Sequence, residues 1–208
     1  MSRYIIDKNK LIENINIIKE KAGVEVIGVV KGNGYGFGMA NLAEILMQNG
    51  IKTFAVTEVY DIPLLRETVL DNDILVMRST CVEEEAKTIA QYDCIATIGS
   101  LSSAEVMDKV SKELGKKTKC HLKIDTGMGR YGFLPSQVES AIKCYDFENL
   151  DFCGAYTHFS SAFHNVQLTK VQLEMFKDTI KQIEKAGKSV GKLHVIVIPE
   201  TNIQLTFR

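Results

Sequence analysis

The stretch "VEVIGVVKGNGYGFGMANLAEILMQNGIKTFAVT", residues 24–57, reads as one strand, one helix and the next strand. "VEVIGVV" is a short, apolar, β-branched run of strand type, and "MANLAEILMQNG" places Leu42, Ile45 and Leu46 on one helical face with Gly50 as its stop. "KTFAVT" is strand-like again. Apolar runs without alternation suit strands buried on both faces, which is the environment of a parallel sheet covered by helices. Between the first strand and the helix stands Lys31, followed by glycine at every second position (Gly32, Gly34, Gly36, Gly38) with Tyr35 among them.

Working outward, the same beat fills the chain. "YIID" at residues 4–7 is strand-like, and residues 8–22 carry Leu11, Ile12, Ile15 and Ile18 at helical spacing before Gly23. Beyond residue 57, helices are expected over 58–68, 82–93, 102–115, 135–145 and from about 168 to 183, alternating with strands "ILVM", "CIATI", "CHLKID", "FCGAYTHF" and "LHVIVI". Alternation of this kind signals crossover-connected parallel strands, so the expected fold class is α/β of the (β/α)8 TIM-barrel type. From Val24 onward the pattern yields seven strands and six intervening helices, one strand short of closure. An open, doubly wound sheet is the architectural rival. No linker-like segment interrupts the run, so residues 1–208 are expected to form a single barrel domain.

Composition narrows the function classes. The formal net charge is −1 with both signs interleaved, which leaves no electrostatic footprint for nucleic acid. No stretch reaches the roughly 18 apolar residues of a membrane span, and the N-terminus lacks a signal-peptide core, so a cytoplasmic location is expected. Five cysteines without C-x-x-C and four histidines without helical i, i+4 spacing give no metal motif; reduced, mostly buried thiols are expected.

Lys31 ends the first repeat strand, and in a (β/α)8 barrel strand ends form the rim where chemistry occurs. A lysine there is as a rule a solvated charge, and a glycine-rich loop a tight turn. Nucleotide motifs fail on spacing, because Walker A needs its lysine after the glycines and G-x-G-x-x-G needs glycine where Phe37 stands. What remains open is a lysine beside backbone that a ligand can approach closely, the kind of amine that condenses with a carbonyl.

Two segments carry a resemblance. "VVKGNGYGFG" resembles the pyridoxal 5'-phosphate attachment motif of the alanine racemase family, and "HLKIDTGMGRYGF", residues 121–133, resembles that family's second hallmark. The similarity runs from about Arg3 to His194 and implies a racemase-type (β/α)8 barrel binding pyridoxal phosphate. It implies that Lys31 forms a Schiff base with the cofactor and exchanges the α-proton of a small amino-acid substrate, interconverting L-alanine and D-alanine for cell-wall peptidoglycan. By the same resemblance Tyr35 binds the cofactor phosphate, Arg130 serves the substrate carboxylate and the cofactor, Lys123 is the lysine that can be carbamylated to orient the arginine, and His158 lies beside the pyridine ring. The residues themselves also allow plainer roles: Arg130 as a surface charge, Lys123 as an ion-pair partner, His158 as a core histidine. A racemase of serine or another small amino acid, or a non-catalytic cofactor-binding remnant, are the functional alternatives.

The tail "PETNIQLTFR" departs from the family pattern. The resemblance therefore implies a barrel truncated before its last strand, without the C-terminal β-domain that carries the second catalytic base in the complete family homodimer.

Overall fold

Buried, β-branched strands and amphipathic helices organise the computed structural model, which describes residues 5–162 and 164–196. The chain divides between Leu75 and Val76 into two compact units. In the first lie α1 (Lys8–Ala22), β1 (Ile27–Val29), α2 (Met39–Gln48), β2 (Thr53–Val56), α3 (Ile62–Thr68) and β3 (Asp73–Val76), the last ending just across the boundary. The second carries α4 (Glu83–Gln91), β4 (Ile95–Ile98), α5 (Leu101–Glu113), β5 (Thr118–Lys123), α6 (Val138–Lys143), β6 (Leu150–His158), α7 (Val166–Lys185) and β7 (Lys192–Ile196). Among the described residues the seven strands and six crossover helices match the beat expected from Val24 onward. Residues 5–7 of "YIID" form no strand: they are irregular, and Asp7 serves as the N-cap of α1, accepting from the backbone of Asn9 and Lys10. Tyr4 and the tail "PETNIQLTFR" lie outside the described residues.

In each unit strand order follows chain order. β1 pairs in parallel with β2, with Ile27 opposite Thr53. In the second unit β4, β5, β6 and β7 form a continuous parallel ladder. All four residues of β4 are buried, and β2 and β3 each bury their last three, which is why their sequences show no polar alternation.

Helix ends follow from local chemistry. Gly23 takes φ 62° to close α1, a conformation in which a side chain would be strained. Ser100 and Ser103 form a reciprocal capping box at the start of α5, and Asn165 accepts from the Leu168 amide at the start of α7. The β5–β6 register shifts between Cys120 and His121, so that His121 comes opposite Gly154 and Lys123 opposite Tyr156. That bulge aligns the side chains of the second unit's site.

Candidate active site

Lys31 follows Val30, which is buried and donates its amide to the Ala55 carbonyl at 2.9 Å. The strand end is thus pinned where the lysine begins, and Lys31 itself is half-buried. The chain then winds left-handed: Gly32, Asn33, Gly34 and Tyr35 have φ of 59°, 53°, 63° and 54°. For L-residues this sense costs roughly 1–2 kcal/mol per residue, so glycine occupies alternate places. Asn33 and Tyr35 are the exceptions, and the Asn33 side chain accepts the Met39 amide at 3.0 Å, which caps α2. A Cβ on Gly32 or Gly36 would meet nothing within 4 Å. Their glycines serve the backbone conformation and leave open space beside the lysine. Tyr35 closes the turn with 59% of its surface exposed, and partial burial pushes its phenol pKa upward.

The second unit builds its part around Lys123. This lysine ends β5, is only 2% exposed and donates to the Ile124 carbonyl at 2.9 Å. Its ammonium lies 5.8 Å from the Tyr131 ring centre and 5.6 Å from that of Tyr156. Burial drives its pKa down to about 8 from 10.5; Asp125 pulls it upward, and the positive charge of Arg130 pushes it further down. Lys123 is thus a buried amine whose charged form its surroundings disfavour.

The loop after β5 is clamped at both ends. Asp125 Oδ1 accepts from the amides of Gly127, Met128 and Gly129 at 2.9, 2.7 and 3.1 Å, and Oδ2 accepts from that of Arg130 at 3.0 Å. Burial raises the Asp125 pKa, but the amide donors and the Lys123 charge prevail and hold it below the usual carboxylate value. Phe133 then returns to β5, donating to Lys123 O at 2.9 Å and accepting from Asp125 N at 2.8 Å. Gly132 between them has φ 119°, and a Cβ there would lie 2.9 Å from Lys123 Cγ. Arg130 emerges from this loop exposed, its guanidinium 5.0 Å from the Tyr131 ring centre.

His158 is the last residue of β6, half-buried, in register with Ile196 of β7. Two residues earlier, fully buried Tyr156 donates its hydroxyl to the Met77 carbonyl at 2.9 Å and shares a hydrogen bond with Thr97. Its ring stacks on His194 at 4.7 Å, and His194 Nε2 lies 2.9 Å from His121 Nδ1. Enclosure of the His194 ring, and then the neighbouring His121, push the pKa of His194 down to about 3, so that this imidazole is neutral in the folded protein.

The structure thus brings Lys123 and Arg130 together in the second unit and sets Lys31 and Tyr35 on one turn in the first. Asp125, Tyr131, Tyr156 and the His121–His194 pair are additions that sequence reasoning missed. Of these, Asp125 and Tyr131 were within reach, since both belong to the hallmark segment. Among the described residues no group of histidine, cysteine or acidic side chains is arranged to hold a metal ion, and no helix is long and apolar enough to cross a membrane. Three cysteines are buried, as expected, whereas Cys81 is exposed.

Residues 6–196 match the family model "Alanine racemase, N-terminal domain". The chain is 33% identical over 207 residues to the alanine racemase of Methanococcus maripaludis, covering 95% of this chain and 55% of that protein. It is 34% identical over 200 residues to that of Treponema denticola, covering 93% and 52%. Among solved structures, an alanine racemase from Clostridium difficile 630 superposes with TM-score 0.84 at 29% identity, over 90% of this chain and 50% of that one. One from Bacillus anthracis with bound L-Ala-P reaches 0.82 at 23% identity, a likeness of fold. The chain spans about half the length of the curated relatives it matches. Among the described residues the seven strands are those of an incomplete (β/α)8 TIM-barrel type, and the open doubly wound alternative falls away. With the model matched from residue 6 to residue 196, both hallmark segments included, the chain belongs to the alanine racemase family.

Proposed function

We propose that this chain is the cofactor-bearing part of a pyridoxal 5'-phosphate-dependent alanine racemase that interconverts L-alanine and D-alanine. The observation that carries the reading is Lys31, a half-buried primary amine at a pinned strand end, followed at once by an open left-handed turn that ends in an exposed phenol. Those residues fit the cofactor: the amine suits its aldehyde, the Tyr35 hydroxyl suits its phosphate, and no Cβ fills the space beside Gly32 and Gly36. When bound, the cofactor supplies an electron sink for negative charge at an amino-acid α-carbon.

Lys31 Nζ is assigned to holding the cofactor and to carrying the α-proton to and from one face of the substrate. Arg130 offers a planar fork of donors to a carboxylate, which a lysine could not match. His158 is assigned to the cofactor's ring. Lys123 holds about 300 times more free amine at pH 7 than a lysine of pKa 10.5 would, since its own is near 8. That supports its reaction with carbon dioxide to a carbamate, which would turn a cation beside Arg130 into an anion. We assign residues 1–208 to a single barrel domain. The reading also places the protein in the cytoplasm as a homodimer whose product D-alanine serves peptidoglycan.

The test is covalent. The chain is saturated with pyridoxal phosphate, reduced with borohydride and mapped by mass spectrometry; the adduct is expected on Lys31 and absent from Lys31→Ala. Incubation with D- and L-alanine separately in deuterated water is expected to label the α-carbon of the enantiomer whose face Lys31 serves, with serine assayed alongside. An adduct confined to other lysines would overturn the assignment, and a preference for serine would move the substrate.

A further inference from the structure

Arg130 poses a mechanical problem. It is exposed, it belongs to a glycine-rich loop, and its neighbour Lys123 carries the same charge whenever its buried amine is protonated. The Asp125 clamp fixes the arginine's backbone through the amide, but it says nothing about the four bonds beyond Cα. Left to water, such a side chain samples many rotamers, and holding it still costs conformational entropy.

The contact that the structure gives the guanidinium is the ring of Tyr131, 5.0 Å from Cζ to the ring centre. The same ring faces the Lys123 ammonium at 5.8 Å. An aromatic face attracts both cations through its quadrupole, so it can hold together two groups that repel each other. That ring is also moored. The Tyr131 hydroxyl donates to the Met77 carbonyl, the acceptor that also takes the buried Tyr156 hydroxyl. On the backbone side, Gly132 and the return of Phe133 onto β5 set where Tyr131 stands.

We propose that Tyr131 is the positioning residue of Arg130: its ring, moored through the hydroxyl to the Met77 carbonyl, carries the guanidinium and presents it in one orientation. The consequence for catalysis rests on the reading of Arg130 as the carboxylate-binding residue. The positioning itself does not. Tyr131 needs no contact with cofactor or substrate to act this way, and it acts whether or not Lys123 is carbamylated.

The experiment reads the arginine directly in the full chain without cofactor. In the 15N-labelled protein the Arg130 Nε–Hε signal is assigned by its loss in Arg130→Lys. It is expected to show a ring-current shift that is reduced in Tyr131→Phe, which lacks the mooring hydroxyl, and collapses to the free-arginine position in Tyr131→Leu. Modification of Arg130 by phenylglyoxal, mapped by mass spectrometry, is expected to accelerate roughly two- to fivefold in Tyr131→Leu, the factor that an exposed cation–π contact supports. In Tyr131→Phe, which keeps the ring but loses its bond to the Met77 carbonyl, the rate should lie between those of the wild type and Tyr131→Leu. If Tyr131→Leu does not fold, Tyr131→Met fills more of the ring's volume without a π face and carries the same test. An unchanged Nε–Hε signal and unchanged reactivity in a folded variant lacking the ring would overturn the proposal. So would a Phe variant as perturbed as the Leu variant. The borohydride adduct at Lys31 is scored separately, so failure of the cofactor reading and failure of this one give different results.

Discussion

Lys123→Met should make the protein more stable at neutral pH, and the margin should shrink as pH rises. Lys123 is 2% exposed, and its ammonium donates to the Ile124 carbonyl and is faced by two aromatic rings. Burial lowers its pKa from 10.5 to about 8 against the opposing pull of Asp125. At 1.36 kcal/mol per unit, holding the charge below pH 8 costs about 3 kcal/mol relative to the unfolded chain. The folded protein releases this proton near pH 8 and the unfolded chain near pH 10.5, so between those values the unfolded chain binds more protons. Stability from this group therefore rises with pH across that window and is level on either side of it. Methionine fills a similar volume with no charge to desolvate. Urea unfolding of both proteins in bicarbonate-free buffer should show the Met variant ahead at pH 7, with its lead narrowing by roughly 2–3 kcal/mol by pH 10. Taking the difference between the two proteins cancels the groups that Lys123 does not act on, and Asp125, whose lowered pKa lies far below this range, stays ionised throughout it. A lead that stays constant with pH would mean that the ammonium is solvated, and the reasoning about its burial and its reactivity would fail with it.

Three further outcomes depend on single contacts. Gly154→Ala would put a Cβ 2.4 Å from His121 Nε2; the imidazole must shift from its 2.9 Å contact with His194, and thermal unfolding should show a loss of about 1–3 kcal/mol. No change in midpoint would remove the reason for glycine there. Asn33→Ala loses the cap on Met39 and leaves a β-carbon at φ 53°, costing about 1–2 kcal/mol, whereas Asn33→Gly should cost only a few tenths; equal losses in both would refute the torsional part. Asp125→Ala frees four amides, so hydrogen exchange at residues 127–130 should accelerate relative to β5. Because that carboxylate sits below its ordinary value in the folded state, its contribution is present above the unfolded value of 3.8 and fades as pH falls through the lowered one. An acid-unfolding curve identical in the variant would contradict this.

How far the chain could be read in advance depended on the range of the forces involved. The β/α beat was legible because burial on both faces writes itself locally: β4 buries every residue, and all but Thr97 are apolar. The left-handed turn was only half legible. Alternating glycines announce that positive φ is permitted, yet Asn33 and Tyr35 also take it, at 53° and 54°, and nothing in their identities requires that. The turn is fixed by its junction with α2, which Asn33 caps across six residues through a bond between its side chain and the Met39 amide.

The polar groups of the second unit lay further out of reach, for a reason that concerns register. His121 and His194 are 73 positions apart and touch at 2.9 Å. Their strands are not neighbours, because β6 runs between them. A histidine on β5 reaches one on β7 only where β6 presents no side chain, and Gly154 is that place: it stands opposite His121, and any Cβ there would collide with the ring. Gly154 comes opposite His121 through the one-residue shift at Cys120. A motif can place Lys123 and Arg130 because it fixes types at spacings along one segment. It cannot reveal that a bulge and a missing methyl on another strand join two histidines and stack Tyr156 beneath one of them, since that depends on how three strands are slid past each other.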